Sequence, residues 1–239
     1  MAMNEKPVVW ITGASKGIGK AIAEAFADNG AIVVLSSRKK AALVSALKNI
    51  ADRGGKGGAI VCDVTDEKSV GRAVKEIERK FGKVDVLVNN AGIAPVTAFT
   101  KTTLAKFDET LAINLRGTFV CSQAVTPGMI ERGSGAIVNI LSTAAIRAFS
   151  GNAAYCASKF GALGLTRVMR TELKKYGIRV IGVLPGAVET DMWGVAERKQ
   201  SHDRMLQPED VAKVVHDAIM LHPRAVVEEI LLRPLGGDL

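Results

Sequence analysis

Short runs of Val, Ile and Leu alternate along the chain with longer segments in which apolar residues recur every three or four positions. The short runs lie at 8–12, 32–36, 58–62, 84–88, 135–141, 178–184 and 226–233. They are continuously apolar rather than alternating, which is how strands buried on both faces of a parallel sheet read. The longer segments, near 17–29, 39–52, 66–81, 102–131, 152–176 and 208–221, have the period of amphipathic helices. Strict alternation of strand and helix predicts an α/β fold: a doubly wound parallel sheet with helices on both faces and right-handed crossovers. The glycine-rich fragment 54–58 reads as a turn leading into the third strand. The stretch 185–207 lacks clear periodicity; loops of that length usually carry function, and a substrate lid is expected there. No internal repeat, low-complexity tract or linker interrupts the pattern, so 1–239 reads as a single domain.

Composition narrows this picture without redirecting it. A domain of 239 residues buries roughly 70–75% of the surface its unfolded chain exposes, enough for a core without staples. Aromatic residues are only 5% of the chain, so that core is built from Val, Ile, Leu and Ala. The three cysteines, Cys62, Cys121 and Cys156, are far apart in sequence and form no CxxC pair. They read as buried small apolar residues in a reducing cytoplasm, and no metal-ligand pattern is present. No apolar run approaches the roughly 18–20 residues that span a bilayer, so a membrane location is not expected. The net charge of +8 comes from scattered Lys and Arg without aromatic interleaving. That reads as a solvated surface rather than a nucleic-acid site, with attraction of anionic substrates or an acidic carrier protein as the remaining alternative.

The first run of specific chemistry is Thr12-Gly13-Ala14-Ser15-Lys16-Gly17-Ile18-Gly19, where the first strand gives way to a helix. Glycines there let the backbone turn tightly and approach a pyrophosphate at the positive end of the helix. The spacing is GxxxGxG rather than GxGxxG. NAD-binding turns are followed about 20 residues on by an acid for the ribose 2′-hydroxyl. Here the second strand ends in Ser36-Ser37-Arg38-Lys39-Lys40, with no acid. A guanidinium grips a 2′-phosphate with two hydrogen bonds, and Lys16 is a second base near it, so Arg38 and Lys16 favour NADP(H).

Tyr155 and Lys159 stand four apart and share one face of the predicted helix. An ammonium beside a phenol stabilises the phenolate and lowers a pKa that is ordinarily near 10, as acid–base work requires. Ser142, at the end of the fifth strand, is placed to donate a hydrogen bond to a substrate oxygen.

With Thr12–Gly19, Asp63-Val64, Asn89-Asn90-Ala91-Gly92, Asn114, Ser142, Tyr155–Lys159 and Pro185-Gly186 in this order and spacing, the chain resembles the short-chain dehydrogenase/reductase family over almost its whole length. The resemblance implies a Rossmann-type sheet of seven strands in the order 3-2-1-4-5-6-7. It implies Tyr155 as general acid in reduction and base in oxidation, and Lys159 as the group that lowers its pKa and holds the nicotinamide ribose. Ser142 would polarise the substrate carbonyl, and Asn114 would anchor a water relaying protons to Lys159. Around the cofactor it implies Gly13, Ser15, Lys16, Gly17, Ile18 and Gly19 in the turn, then Ser37 and Arg38. Asp63 and Val64 would border the adenine, Asn90, Ala91 and Gly92 would flank the cofactor, and Pro185, Gly186, Val188 and Thr190 would meet the nicotinamide side. Homodimers or homotetramers formed through the helical segments 102–131 and 152–176 are a further implication.

The substrate half is less defined. Met192 and Trp193 are the most apolar elements of the expected lid, and Trp193 packs either on a substrate or on the protein's own core. Arg147, between Ser142 and Tyr155, reads as a solvent-exposed base, with a substrate carboxylate as the alternative ligand. The motifs are close to those of 3-oxoacyl-carrier-protein reductases, but the ending Val226-Val227-Glu228-Glu229-Ile230-Leu231-Leu232-Arg233-Pro234 is not theirs. It looks like that of NADP-dependent reductases of ketones, dicarbonyls and small hydroxy acids. A small carbonyl or alcohol is therefore the favoured substrate, with an acyl-carrier-protein partner as the alternative. A protein that senses NADP(H) without turnover is the reading from a different class, and the filled tetrad argues against it.

Overall fold

Along the chain run β1 (Val8–Thr12), α1 (Gly17–Asp28), β2 (Ile32–Ser37), α2 (Lys40–Asp52), β3 (Lys56–Val61), α3 (Glu67–Phe81) and β4 (Val86–Asn89). They are followed by α4 (Leu104–Leu111), α5 (Gly117–Arg132), β5 (Gly135–Ile140), α6 (Ala153–Leu173), β6 (Ile178–Pro185), α7 (Val195–Ser201), α8 (Pro208–Met220) and β7 (Glu229–Leu232). This computed structural model describes residues 6–222 and 224–237. All seven strands are parallel and join one sheet in the order β3-β2-β1-β4-β5-β6-β7.

The continuous apolar runs are explained by this topology. Val9 and Ile11 of β1 enter a core closed by α1, α2 and α8, whereas Val8 and Trp10 enter the core under α3 and α5. Adjacent side chains of one strand thus serve opposite cores, and both must be apolar. Phe26, Ile22, Leu43 and Ile50 are buried on the first face, and Ile77, Met129 and Ile137 on the second. Each such side chain contributes roughly 1.5–3 kcal/mol on leaving water. The sheet order reverses between β1 and β4, so the crevice at their carboxyl ends is where such a fold receives a ligand.

Three expectations need correction. The turn expected at 54–58 is partly strand, because β3 begins at Lys56. A Cβ on Gly57 would stand 2.0 Å from the Val33 carbonyl oxygen, and one on Gly58 would stand 2.4 Å from the Phe81 ring. These glycines therefore let strand and helix close up rather than marking a loop. The single helix expected over 102–131 is α4 and α5 joined by a π-helical turn, Ala112–Arg116. The lid region 185–207 contains the short helix α7 and a 3-10 turn, His202–Arg204. Its sequence is too polar to show an apolar stripe, so its helical state left no periodic trace.

Candidate active site

At the carboxyl end of β1, Thr12 is the hub that joins the two halves of the crevice. Its hydroxyl accepts from the backbone N–H of Asn90 (3.0 Å) and Ala91 (3.1 Å) and donates to the Val88 carbonyl (3.3 Å). Asn90 answers through Nδ2, which donates to the carbonyls of Thr12 (3.0 Å) and Gly13 (3.1 Å). This packing leaves no room for side chains on the turn. Gly13 has φ +65° and a Cβ there would lie 2.8 Å from Ala91 Cα; on Gly19 it would lie 2.3 Å from Asn90 Nδ2. α1 starts at Gly17, and no side chain caps its first turn. Its amino end therefore presents uncapped N–H groups beside a bare backbone floor, the arrangement that receives a phosphate. Ser15 and Ile18 are half-buried on the same turn.

Ser37 ends β2 and its Oγ accepts from the Lys39 N–H at 3.3 Å, turning the chain so that Arg38 is exposed. The Arg38 charge acts on Asp63, just past β3. Burial of Asp63 opposes ionisation, but hydrogen bonds from Thr65 and the Arg38 charge hold its carboxyl below the usual range. Asp63 and Arg38 thus frame one rim of the crevice beside buried Val64. Lys16 has a partner that the sequence did not indicate: its Nζ pairs with Asp191 Oδ2 at 3.1 Å, and Asp191 also accepts from Arg198 Nη1 at 3.0 Å. Thr190 lies against Gly17, whose added Cβ would be 3.3 Å from Thr190 Cγ2. The start of the segment 185–207 is therefore seated on the glycine turn.

The catalytic candidates converge from β5 and α6. Ser142 is extended (φ −175°) and its Oγ caps the 3-10 turn Thr143–Ala145 by accepting from the Ala144 N–H at 3.1 Å. Its hydroxyl also stands by the Tyr155 phenol and favours the ionised form. Lys159 is buried, 6% exposed. Its Nζ donates to the Ile140 carbonyl at 2.8 Å and lies 5.6 Å from the centre of the Tyr155 ring. Burial pushes Lys159 down from 10.5 to about 8. For Tyr155 the net direction is upward: burial outweighs the Ser142 contact. The sequence expectation of a phenol lowered by its lysine is thus not what this arrangement gives. The arrangement favours the protonated phenol, with the Lys159 ammonium beside its ring.

Asn114 sits inside the π-helical turn and is 2% exposed. Its Oδ1 accepts from the Ile93 N–H (2.9 Å), and its Nδ2 donates to the Ile93 carbonyl (2.9 Å) and to Ser158 Oγ (3.0 Å). Ser158 in turn donates to the Tyr155 carbonyl at 2.7 Å. Asn114 therefore ties the loop after β4, where Gly92 passes within reach of its amide, to the helix that carries Tyr155. A π-turn widens the helix by one residue and commonly marks a functional position. Ser158 and Asp191 are the two residues that sequence reasoning missed; Ser158 was visible inside Tyr155–Lys159, whereas the Asp191 contact is too distant in sequence to leave a signal.

The remaining expected contacts cluster at the end of β6. Pro185 closes the strand, the Gly186 N–H donates to the Leu232 carbonyl at 2.8 Å, and Val188 is buried. Reciprocal bonds, Glu189 N–H to Leu206 and Leu206 N–H to Ala187, clamp the two ends of the lid together (2.8 and 2.9 Å). Within it, Glu189, Val195, Arg198, Lys199 and His202 line a cavity of about 410 Å³. Trp193 is half-buried, while Met192 and Arg147 are exposed. Arg147 lies over the Phe149 ring at 5.5 Å. Among the described residues, no group of three His, Cys, Asp or Glu side chains is placed to hold a metal, and no helix is long and apolar enough to cross a membrane.

Comparison with known proteins agrees with this geometry. A family model described as short chain dehydrogenase matches residues 7–201. A sepiapterin reductase of Chlorobaculum tepidum is 41% identical, with 98% of each chain covered. A 3-oxoacyl-[acyl-carrier-protein] reductase of Thermotoga maritima is 36% identical over 88% of this chain and 89% of its own. Among solved structures, a metagenomic short-chain oxidoreductase in complex with NADP superposes with a TM-score of 0.85 at 32% identity, covering 95% of this chain and 96% of that one.

Proposed function

Because the chain belongs to the short-chain dehydrogenase family, we propose that it is an NADP(H)-dependent oxidoreductase interconverting a small carbonyl compound and its alcohol, with Tyr155 as general acid and base. The observation that carries this reading is the convergence of Ser142, Tyr155 and Lys159 at the carboxyl end of β5, on the side of the sheet's edge where the strand order reverses between β1 and β4. The side-chain-free floor at Gly13 and Gly19 and the uncapped start of α1 fit a pyrophosphate. Ser15, Lys16, Gly17 and Ile18 complete that cradle, and Ser37 and Arg38, at an end of β2 that carries no acid, suit a 2′-phosphate. Asp63 and Val64 would border the base, Asn90, Ala91 and Gly92 the middle, and Pro185, Gly186, Val188 and Thr190 the nicotinamide end. Bound there, the nicotinamide supplies or accepts the hydride.

The chain's own residues do the rest. Ser142 donates to the substrate oxygen and orients it toward Tyr155. Tyr155 delivers its proton to that oxygen in reduction and, as the phenolate, removes one in oxidation. The charge of Lys159 compensates the phenolate that is left. Asn114 and Ser158 hold the backbone around the phenol.

The acyl-carrier-protein reading is kept because of the 36% identical reductase. Exposed Phe119, Phe160 and Val168 on α5 and α6 support pairing of two copies through these helices, and a homotetramer extends the same idea. Three buried free cysteines suit a reducing cytoplasm. The test is a panel of ketones, dicarbonyls, 3-hydroxy acids and an acetoacetyl thioester, followed by NADP(H) absorbance. Turnover of small carbonyls above the thioester is expected, a strong thioester preference would move the protein to the second reading, and no turnover with any of them would remove the first.

A further inference from the structure

A line of hydrogen bonds between buried side chains crosses the strands beneath the catalytic group. Asn89 and Asn139 are register partners on β4 and β5. Asn89 Nδ2 donates both to Ser122 Oγ on α5 and to Asn139 Oδ1, each at 2.9 Å. Asn139 Nδ2 donates to Thr166 Oγ1 on α6 at 2.8 Å, and Thr166 donates onward to the Ala162 carbonyl at 2.6 Å. Asn89 is 5% exposed, Ser122 and Asn139 1%, and Thr166 not at all. Buried polar groups are costly when unmatched and select one arrangement when matched. Hydrophobic residues would fill this space as well, so the line has something to select.

The positions show what that is. Thr166 follows Lys159 by two helical turns and shares its buried face with Ala162 and Leu163. Asn139 stands three residues before Ser142 on the strand that delivers it. Asn90, next to Asn89, clasps the glycine turn. The Lys159 ammonium also reaches β5, but a long flexible side chain does not set the height of a helix. The short side chain of Thr166, with its hydroxyl bonded directly to Asn139, does. We propose that Asn139 and Thr166 are positioning residues: their hydrogen bond fixes α6 on β5 and thereby the distance between the Ser142 hydroxyl and the Tyr155 phenol. This rests on the reading of Tyr155 as the acid and base.

The test uses Asn139→Leu/Thr166→Val, which replaces both partners by apolar groups of similar shape; Asn89 keeps its bond to Ser122 and loses the one to Asn139. Thr166→Ser retains the hydroxyl. The chain has two tyrosines, Tyr155 and exposed Tyr176, so ¹³Cζ-tyrosine NMR titration reads Tyr155 directly with an internal reference. The double variant is expected to melt a few degrees lower for the Asn89 donor left unmatched, keep its NADPH affinity, lose about tenfold or more in kcat, and titrate Tyr155 at higher pH because the Ser142 contact is loosened. Thr166→Ser is expected to behave as wild type in all four. A folded double variant with wild-type kcat and Tyr155 titration overturns the proposal. If the double variant does not fold, equal Tyr155 titrations in Thr166→Val and Thr166→Ser overturn it. Absence of turnover in the wild type would defeat the functional reading alone, since the titration still decides the positioning role.

Discussion

Lys159 carries a charge into a buried site, and two opposite consequences follow. Its shift from 10.5 to about 8 corresponds to a cost on the order of 3 kcal/mol at about 1.4 kcal/mol per pKa unit. The unfolded chain binds more protons than the folded one between these values. The cost is therefore full below pH 8 and disappears as the pH rises toward 10.5, so this group alone makes the protein more stable over that window. Lys159→Met is expected to raise the melting temperature at pH 7 while reducing turnover at least about a hundredfold, as differential scanning fluorimetry and steady-state rates would show. A variant both less stable and fully active would contradict this. For activity the sign is the other way: carbonyl reduction is expected to hold up to about pH 8 and fall above it as Lys159 loses its charge. Arg38 gives a separate check, because Arg38→Asp should raise KM for NADPH by about 10–100-fold and leave NADH nearly unchanged. Equal losses would remove Arg38 from the 2′-phosphate site. The spacing of Tyr155 and Lys159 made this pair legible in the sequence, but the direction of the Tyr155 shift was not, because burial by distant segments decides it.

At the scale of elements, the strand runs and most helices followed from period alone, while the departures have packing causes. The glycines of β3 looked like a turn because a sequence does not show that Val33 and Phe81 occupy the space their side chains would take. The π-turn at Ala112–Arg116 has no compositional mark, and its reason is tertiary: it turns Asn114 onto Ile93 and Ser158. The glycine turn makes the most direct prediction at this scale. Gly19→Ala would drive a methyl to 2.3 Å from Asn90 Nδ2 and 2.8 Å from the Gly13 carbonyl. A destabilisation of about 1–3 kcal/mol is expected, together with loss of most NADPH affinity, measured by denaturant titration and by fluorescence binding. Wild-type affinity would show that the turn is not the phosphate cradle.

For the whole molecule, alternation of strand and helix made the doubly wound parallel sheet legible, the strand order was legible only through the family resemblance, and that order places β1 and β4 side by side where the crevice opens. What the sequence left dark is what only folding brings together: Lys16 with Asp191, 175 residues apart, and the Asn139–Thr166 line under the catalytic group. The glycine turn, α6 and the segment 185–207 are thus tied into one framework, and we propose that they serve a proton and a hydride delivered to one carbonyl. The most direct measurement is stopped-flow NADPH oxidation, with the best substrate of the panel, by wild type and by Tyr155→Phe. The phenol's loss is expected to slow the hydride step by about 10²–10⁴-fold with NADPH affinity unchanged. A Tyr155→Phe protein that oxidises NADPH at the wild-type rate would contradict it.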